Sequence, residues 1–383
     1  MTSFAPIFVP AALREAVSDE SWFAAMLDAE RALARAEASV GAIPPEAAAT
    51  IEDCSQLDRF DLAALSDQGR AVGNPAEPLV RALRELAGDA APYVHFGATS
   101  QDVVDTAAML VTRRAVALVA DELAGAAAAA VQLAEDHRST PMAGRTLLQQ
   151  AVPTTFGAKA AGWLVGLVDA RSTLLGVALH AQLGGAAGTL APLGDRGVEV
   201  LAAFAHELGL AEPVVPWHVR RAQLANIAGA LQQVATACDK VGLDVVLLSQ
   251  TEVGEVTEAS GGGSSTMPHK RNPVGAVLAR ACARLVQANA VVLSGGEHEH
   301  ERAAGAWQAE WTALSEALAH AGGAAAAART SLTGLGVHPD RMRANMGADV
   351  YSERDRLGLQ DPDYLGSAEA FVDRALGHWR EAS

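Results

Sequence analysis

The feature that most constrains this chain is a stripe: Leu224, Ile227, Leu231, Val234, Cys238, Val241, Val245 and Leu248 recur every three or four positions. That period marks one face of a helix from Leu224 to about Val253, roughly 45 Å long at 1.5 Å per residue. A helix of that length can bury its stripe only against others of similar reach. Long apolar runs also start at Val103 (to about Glu135), Thr154 (to about Leu183), Pro273 (to about Leu293) and Ala309, and no stretch alternates as a strand would. The expected fold is all-α, an elongated central bundle of long helices with small helical end domains. Composition agrees, because 50% hydrophobic residues with only 4% aromatics describes an alanine-rich core that lets helices approach closely.

Residues 1–92 read as an N-terminal helical domain of short pieces broken at Gly69, Gly73 and Pro75. Residues 93–335 form the long-helix bundle, and 336–383 a shortened C-terminal helical segment. The formal charge of −16 argues against nucleic acid or an anionic membrane as partner. Cys54, Cys238 and Cys282 lack metal-ligand spacing, and buried thiols in a reducing cytoplasm are expected. No signal-peptide pattern opens the chain, and its apolar runs are expected to be interrupted by charge before a bilayer's width.

Chemistry concentrates between Gly261 and Pro273, Gly-Gly-Gly-Ser-Ser-Thr-Met-Pro-His-Lys-Arg-Asn-Pro. Three glycines free the backbone, and two prolines bracket a basic, amide-bearing segment. Lys270 is one of only three lysines, beside Lys159 and Lys240, so a compact ammonium has a purpose there. A Walker loop is excluded by His269 before the lysine, and a Gly-x-Ser-x-Gly elbow by Thr266.

This stretch resembles the signature of the fumarase/aspartase superfamily, with Ser264, Lys270 and Asn272 on its serine, lysine and asparagine. The resemblance implies that Ser264 exchanges a proton at the carbon α to a carboxylate, while Lys270 and Asn272 stabilise the alkoxide and the enolate-like intermediate. Ser265 and Met267 on the same loop are expected to contact substrate. His95-Phe-Gly-Ala-Thr-Ser-Gln-Asp102 is similar to the superfamily's first common region. By its residues alone it could simply cap the helix that follows. The resemblance implies instead that Thr99 and Ser100 bind a substrate carboxylate at a helix N-terminus, with His95 in the catalytic set.

The second common region, Gly144 to Pro153, reads as a short irregular stretch that supplies Thr146 and Gln149 to the substrate. Where many relatives carry a general-acid histidine, this chain has Leu147, and Gln150 replaces another histidine. Leucine cannot donate a proton. A stable anion such as a carboxylate or nitrite departs unprotonated, whereas ammonia, water or an amine does not. Alternatively Leu147 is merely packed, and His95 or His218 has taken over.

Gly184-Gly-Ala-Ala-Gly188 reads as a connector, and Arg220 and Arg221 as candidates for a second substrate carboxylate or for a solvated face. In Glu297-His-Glu-His-Glu-Arg302 the histidines stand two apart and would face apart on a helix, so metal is not expected. The same segment, with Trp307 and Ala309-Glu-Trp311, resembles the 3-carboxy-cis,cis-muconate cycloisomerase branch. So do Arg145-Thr-Leu-Leu-Gln149 and Pro216-Trp-His218. The branch implies no cofactor, a tricarboxylate or dicarboxylate substrate held by Arg302 and by Arg221 among others, a cytoplasmic location, and a homotetramer with sites shared between subunits.

Overall fold

The computed structural model describes residues 3–259, 262–263, 267, 270–295 and 298–382. Helix α1 (Asp19–Ser39) starts where the Ser18 side chain accepts the Ser21 N–H, with Asp19 and Glu20 in its first turn to complement the helix dipole. The bundle is made of α2 (Ser100–Asp136), α3 (Phe156–Leu175), α4 (Ala222–Leu248), α5 (Val274–Ser294) and α6 (Ala306–Leu332). Helix α4 packs against α3, α5 and α6, while α2 packs against α3, α6 and α1. A last helix, α7 (Ala368–Ala382), lies on α3.

Every residue of the α4 stripe, Leu224 through Leu248, is buried. Small residues set the spacing. A Cβ on Gly242 would lie 2.7 Å from the Ala276 carbonyl of α5, and one on Gly323 of α6 would lie 2.4 Å from the Phe8 carbonyl. One hydrophobic core runs from Val9 to Leu376, and a smaller one, including Ile43, Ile51, Leu83 and Val94, sits inside the N-terminal region.

Among the described residues the architecture is all-α apart from three two-stranded ladders: β1 (Pro141–Thr146) with β2 (Gln149–Thr155), β3 (Val256–Thr257) with β6 (Gly336–Val337), and β4 (Gly262–Gly263) with β5 (Arg271–Asn272). The first is a correction, because Gly144 to Pro153 is a hairpin and not an irregular stretch. Its two-residue turn has Leu147 and Leu148 at φ of 51° and 64°, the left-handed geometry that matches strand twist and that sequence ordinarily announces with Asn or Gly. Helix α3 also stops at Leu175, short of Leu183.

Two helices, Ser100–Asp136 and Val274–Ser294, are long and apolar enough to cross a membrane by length and composition, contrary to the expectation of interruption by charge. Both are integral to the bundle, where alanine-rich packing imposes the same composition. All three cysteines are buried and free, and burial pushes the Cys238 and Cys282 thiols up to about 12.

Candidate active site

The end of the bundle where α2 begins is a buried polar lattice. The Asp102 carboxylate accepts the backbone N–H of Thr99, Gly184 and Gly185, each at 2.9 Å, and pairs with His218 Nε2 at 2.6 Å. Thr99 is therefore the N-cap of α2, and Asp102 also pins the 184–188 connector. One helical turn on, Asp105 receives Arg221 through two bonds of 2.8 and 3.0 Å, Trp307 Nε1 at 2.9 Å and Gln101 Nε2 at 3.1 Å. Glu310 takes the adjacent edge of the same guanidinium, accepting from Nε at 3.1 Å and from Nη2, which it shares with Asp105, at 2.5 Å.

Arg221 is 8% exposed and spans the two carboxylates, which outweigh the cost of burial and raise its pKa. This corrects both expectations for Arg221. It lies on no solvated face, and its donors are committed to Asp105 and Glu310, so it ties α2 to α6. Arg302 sits at the margin, donating to the Gly185 and Ala186 carbonyls at 3.3 and 2.9 Å and to Gln101 at 3.4 Å. His95, at φ 60°, is pinned through Nδ1 by Glu30 of α1 at 2.6 Å. His298 is buried beside Glu310 at 3.4 Å, whereas His300 is exposed, so the two histidines do face apart.

At the opposite end α4, α6 and the hairpin converge. Arg145 of β1 makes a bidentate pair with the buried Glu255 at 3.0 and 2.6 Å, and Asn345 donates to the same carboxylate at 2.8 Å. Gln150 bonds the Asn345 carbonyl at 2.7 Å and receives the Gly347 N–H at 3.2 Å, so it anchors the hairpin's base. Thr146 and Gln149 face each other across the turn, both exposed. Leu147 is 96% exposed at the tip, which removes the alternative that it is packed within its own chain.

The glycine-rich loop closes between β4 and β5, with Gly262 opposite Asn272 and Gly263 opposite Arg271. Glu258 clamps its base. The carboxylate accepts the N–H groups of Gly275 and Ala276 at 3.0 and 2.8 Å, the first turn of α5, and the Ser331 hydroxyl at 2.5 Å. Lys270 is exposed. Asn272, Lys270 and Glu258 border a cleft of about 790 Å³ together with Gln250, Thr257 and Val277. Met267 is 40% exposed, while Ser264 and Ser265 lie outside the described residues.

The expected residues thus divide into two groups. His95, Thr99, Ser100 and Arg302 gather where α2 and α6 begin; Thr146, Gln149, Met267, Lys270 and Asn272 gather where α4 ends and α5 begins. The 27 residues of α4 alone put about 40 Å between them. One chain does not bring the two groups together. Sequence reasoning missed Glu30, Asp105, Glu258 and Glu310. The available signal for Glu30 was an acidic residue on the apolar stripe of α1, between Met26, Leu27 and Leu33.

Comparison with known proteins agrees with this architecture. Residues 9–288 match a family described as lyase. Nitrosuccinate lyase of Streptomyces davaonensis is 48% identical over 386 residues, covering 95% of this chain and 81% of that protein. The 3-carboxy-cis,cis-muconate cycloisomerase of Bradyrhizobium diazoefficiens is 43% identical over 400 residues, covering 98% and 88%. The crystal structure of 3-carboxy-cis,cis-muconate lactonizing enzyme from Pseudomonas putida superposes with a TM-score of 0.93 at 38% identity, over 99% of each chain.

Proposed function

The chain belongs to the lyase family of the fumarase/aspartase superfamily, and from that membership we propose that it makes or breaks a bond β to a carboxylate with a stable anion as the moving group. The lead reaction is cycloisomerisation of 3-carboxy-cis,cis-muconate to 4-carboxymuconolactone. One substrate carboxylate oxygen bonds to a diene carbon, a proton from Ser264 goes to the carbon α to another carboxylate, and the serine regains its proton from solvent, so that one proton is taken up and no group leaves. Lys270 and Asn272 stabilise the enolate-like intermediate between these events. Thr99, Ser100, Arg302 and His95 hold the remaining carboxylates, helped by the N-terminus of α2.

The observation that carries this reading is Leu147, which stands exposed at the tip of a braced hairpin where a proton donor would serve a poor leaving group. A carboxylate needs none. A second reading, release of nitrite from nitrosuccinate, tolerates Leu147 equally and draws support from the 48% identity to a nitrosuccinate lyase.

Assembly is part of the proposal. Supporting it are the 40 Å or so between the two groups and the apolar face that α5 leaves in solvent, with Val277 51% and Val291 69% exposed. We place the enzyme in the cytoplasm as a homotetramer whose sites combine the α2 end of one subunit with the hairpin and loop of others.

The test is an ultraviolet assay of diene loss from 3-carboxy-cis,cis-muconate beside a nitrite assay with nitrosuccinate, each with the parent and Ser264→Ala. Diene loss that falls about a thousandfold in the variant supports the cycloisomerase, a transition-state loss of roughly 4 kcal/mol. Nitrite release alone transfers the assignment to the second reading. Inertness toward both would sink the proposal.

A further inference from the structure

Helix α1 carries two buried glutamates seven residues apart on its apolar face, and they meet different fates. Glu30, 1% exposed, bonds His95 Nδ1 at 2.6 Å. Glu37 is fully buried, and neither carboxyl oxygen has a hydrogen-bond partner. A buried carboxyl without donors stays protonated, whereas one facing an imidazole can ionise against it.

We propose that Glu30 is a positioning residue that fixes His95 as an Nδ1–H donor and holds it as an imidazolium, so that Nε2–H grips a substrate carboxylate as a cationic donor. The inference rests on the reading of His95 as a substrate-facing residue, and it gives that residue a binding role in place of a general acid's.

Three observations converge on it. First, His95 is kept in the left-handed region at φ 60°, which strains a non-glycine residue and needs an offsetting contact. The Glu30 bond provides one, and among the described residues Nε2 has no hydrogen-bond partner to compete with a ligand.

Second, the charged groups around the ring favour the cation. Burial pushes the imidazole toward neutrality, but Glu30 from α1 and, more weakly, Asp102 from α2 outweigh both that and the opposing Arg84 of the Ala76–Ala87 helix, and the His95 pKa is raised. Third, Glu37 is pushed up to about 9 by burial and by its Glu30 neighbour, so it stays neutral at pH 7 and adds no second negative charge to this face. The raised pKa means that the cation persists to higher pH than in the unfolded chain and that its grip is lost as pH rises through the folded value.

The experiment follows the ring nitrogens of histidine in ¹⁵N-labelled protein between pH 5 and 9, with His95→Gln identifying the signal. The proposal expects His95 of the parent to be protonated at pH 7 and to lose its proton at least one pH unit lower in Glu30→Gln. Steady-state rates on the substrate should show kcat/KM of Glu30→Gln down about tenfold at pH 7.5, carried by KM, and recovering toward the parent near pH 5.5.

A neutral His95 at pH 7 in the parent overturns the inference while leaving the reaction intact. So does a loss in Glu30→Gln that is the same at every pH, since that is the mark of a merely structural contact. If neither candidate substrate turns over, the functional reading falls separately. Tricarballylate then serves as probe, and the inference requires that it shift the His95 Nε2 resonance at pH 7 in the parent and not in Glu30→Gln.

Discussion

Where α2 begins, Asp102, Asp105, Arg221 and Glu310 are all buried, and each is held by at least two partners. Where α4 ends, Lys270 and Leu147 stand in solvent, and the bases of their loops are braced by Glu258 and by Arg145 with Glu255. The first end is a cradle whose charges are spent on holding its own shape. The second presents groups with capacity to spare. A braced cradle at one end and exposed Leu147 and Lys270 at the other, about 40 Å apart, are what the proposed sharing of sites between copies requires.

The strongest way to sharpen that contrast is Lys270→Ala. An exposed ammonium contributes little to folding, so kcat should fall about a thousandfold, roughly 4 kcal/mol, with an unchanged melting temperature. Melting that collapses in step with rate would erase the distinction between the ends. Refolding Lys270→Ala together with His95→Gln tests the sharing directly. Random assortment leaves roughly a quarter of composite sites intact, so at subsaturating substrate mixed material should exceed the average activity of the two variants refolded alone. No recovery on mixing would mean that the two ends do not meet in one site.

Arg221→Met attacks the cradle. It strands two buried carboxylates and should cost about 3 kcal/mol in urea unfolding, the low end for a broken buried pair because Gln101 and Trp307 still donate to Asp105. A cost below about 1 kcal/mol would show the lattice to be dispensable.

Smaller effects come from α1 and the hairpin tip. Glu37 is protonated in the fold up to about pH 9 but ionises in the unfolded chain near 4.5, so its burial costs progressively more as pH rises between those values, about 1.4 kcal/mol per unit. Glu37→Gln should therefore gain over the parent from pH 5 to 9 in thermal melts, and parallel curves would contradict the assignment. Leu147→Ala should alter unfolding by less than about 0.5 kcal/mol while raising KM.

The two ends were not equally legible. The α4 stripe specified a buried face because its period is local, and the glycine-rich loop was readable because its residue types stand next to one another in the chain. The cradle is not local. Arg221 meets Glu310 across 89 residues and Asp105 across 116, and nothing near Arg221 distinguishes a strut from a ligand-binding arginine. Glu30 finds His95 across 65 residues. The hairpin was hidden for another reason: leucines occupy left-handed positions that propensity gives to Asn and Gly. The same local conflict marks the tip as a place where something other than folding chose the residues.

The buried thiols have a practical corollary. With pKa values near 12, Cys238 and Cys282 expose a thiolate fraction on the order of one in a hundred thousand at pH 7, and Cys54 is shielded from solvent. The native protein should therefore react slowly with maleimide. A single cysteine placed at the hairpin tip would then be the readily addressable point on each chain, and a reporter dye there could follow whether the tip meets the cradle of a second copy, as the proposed assembly requires.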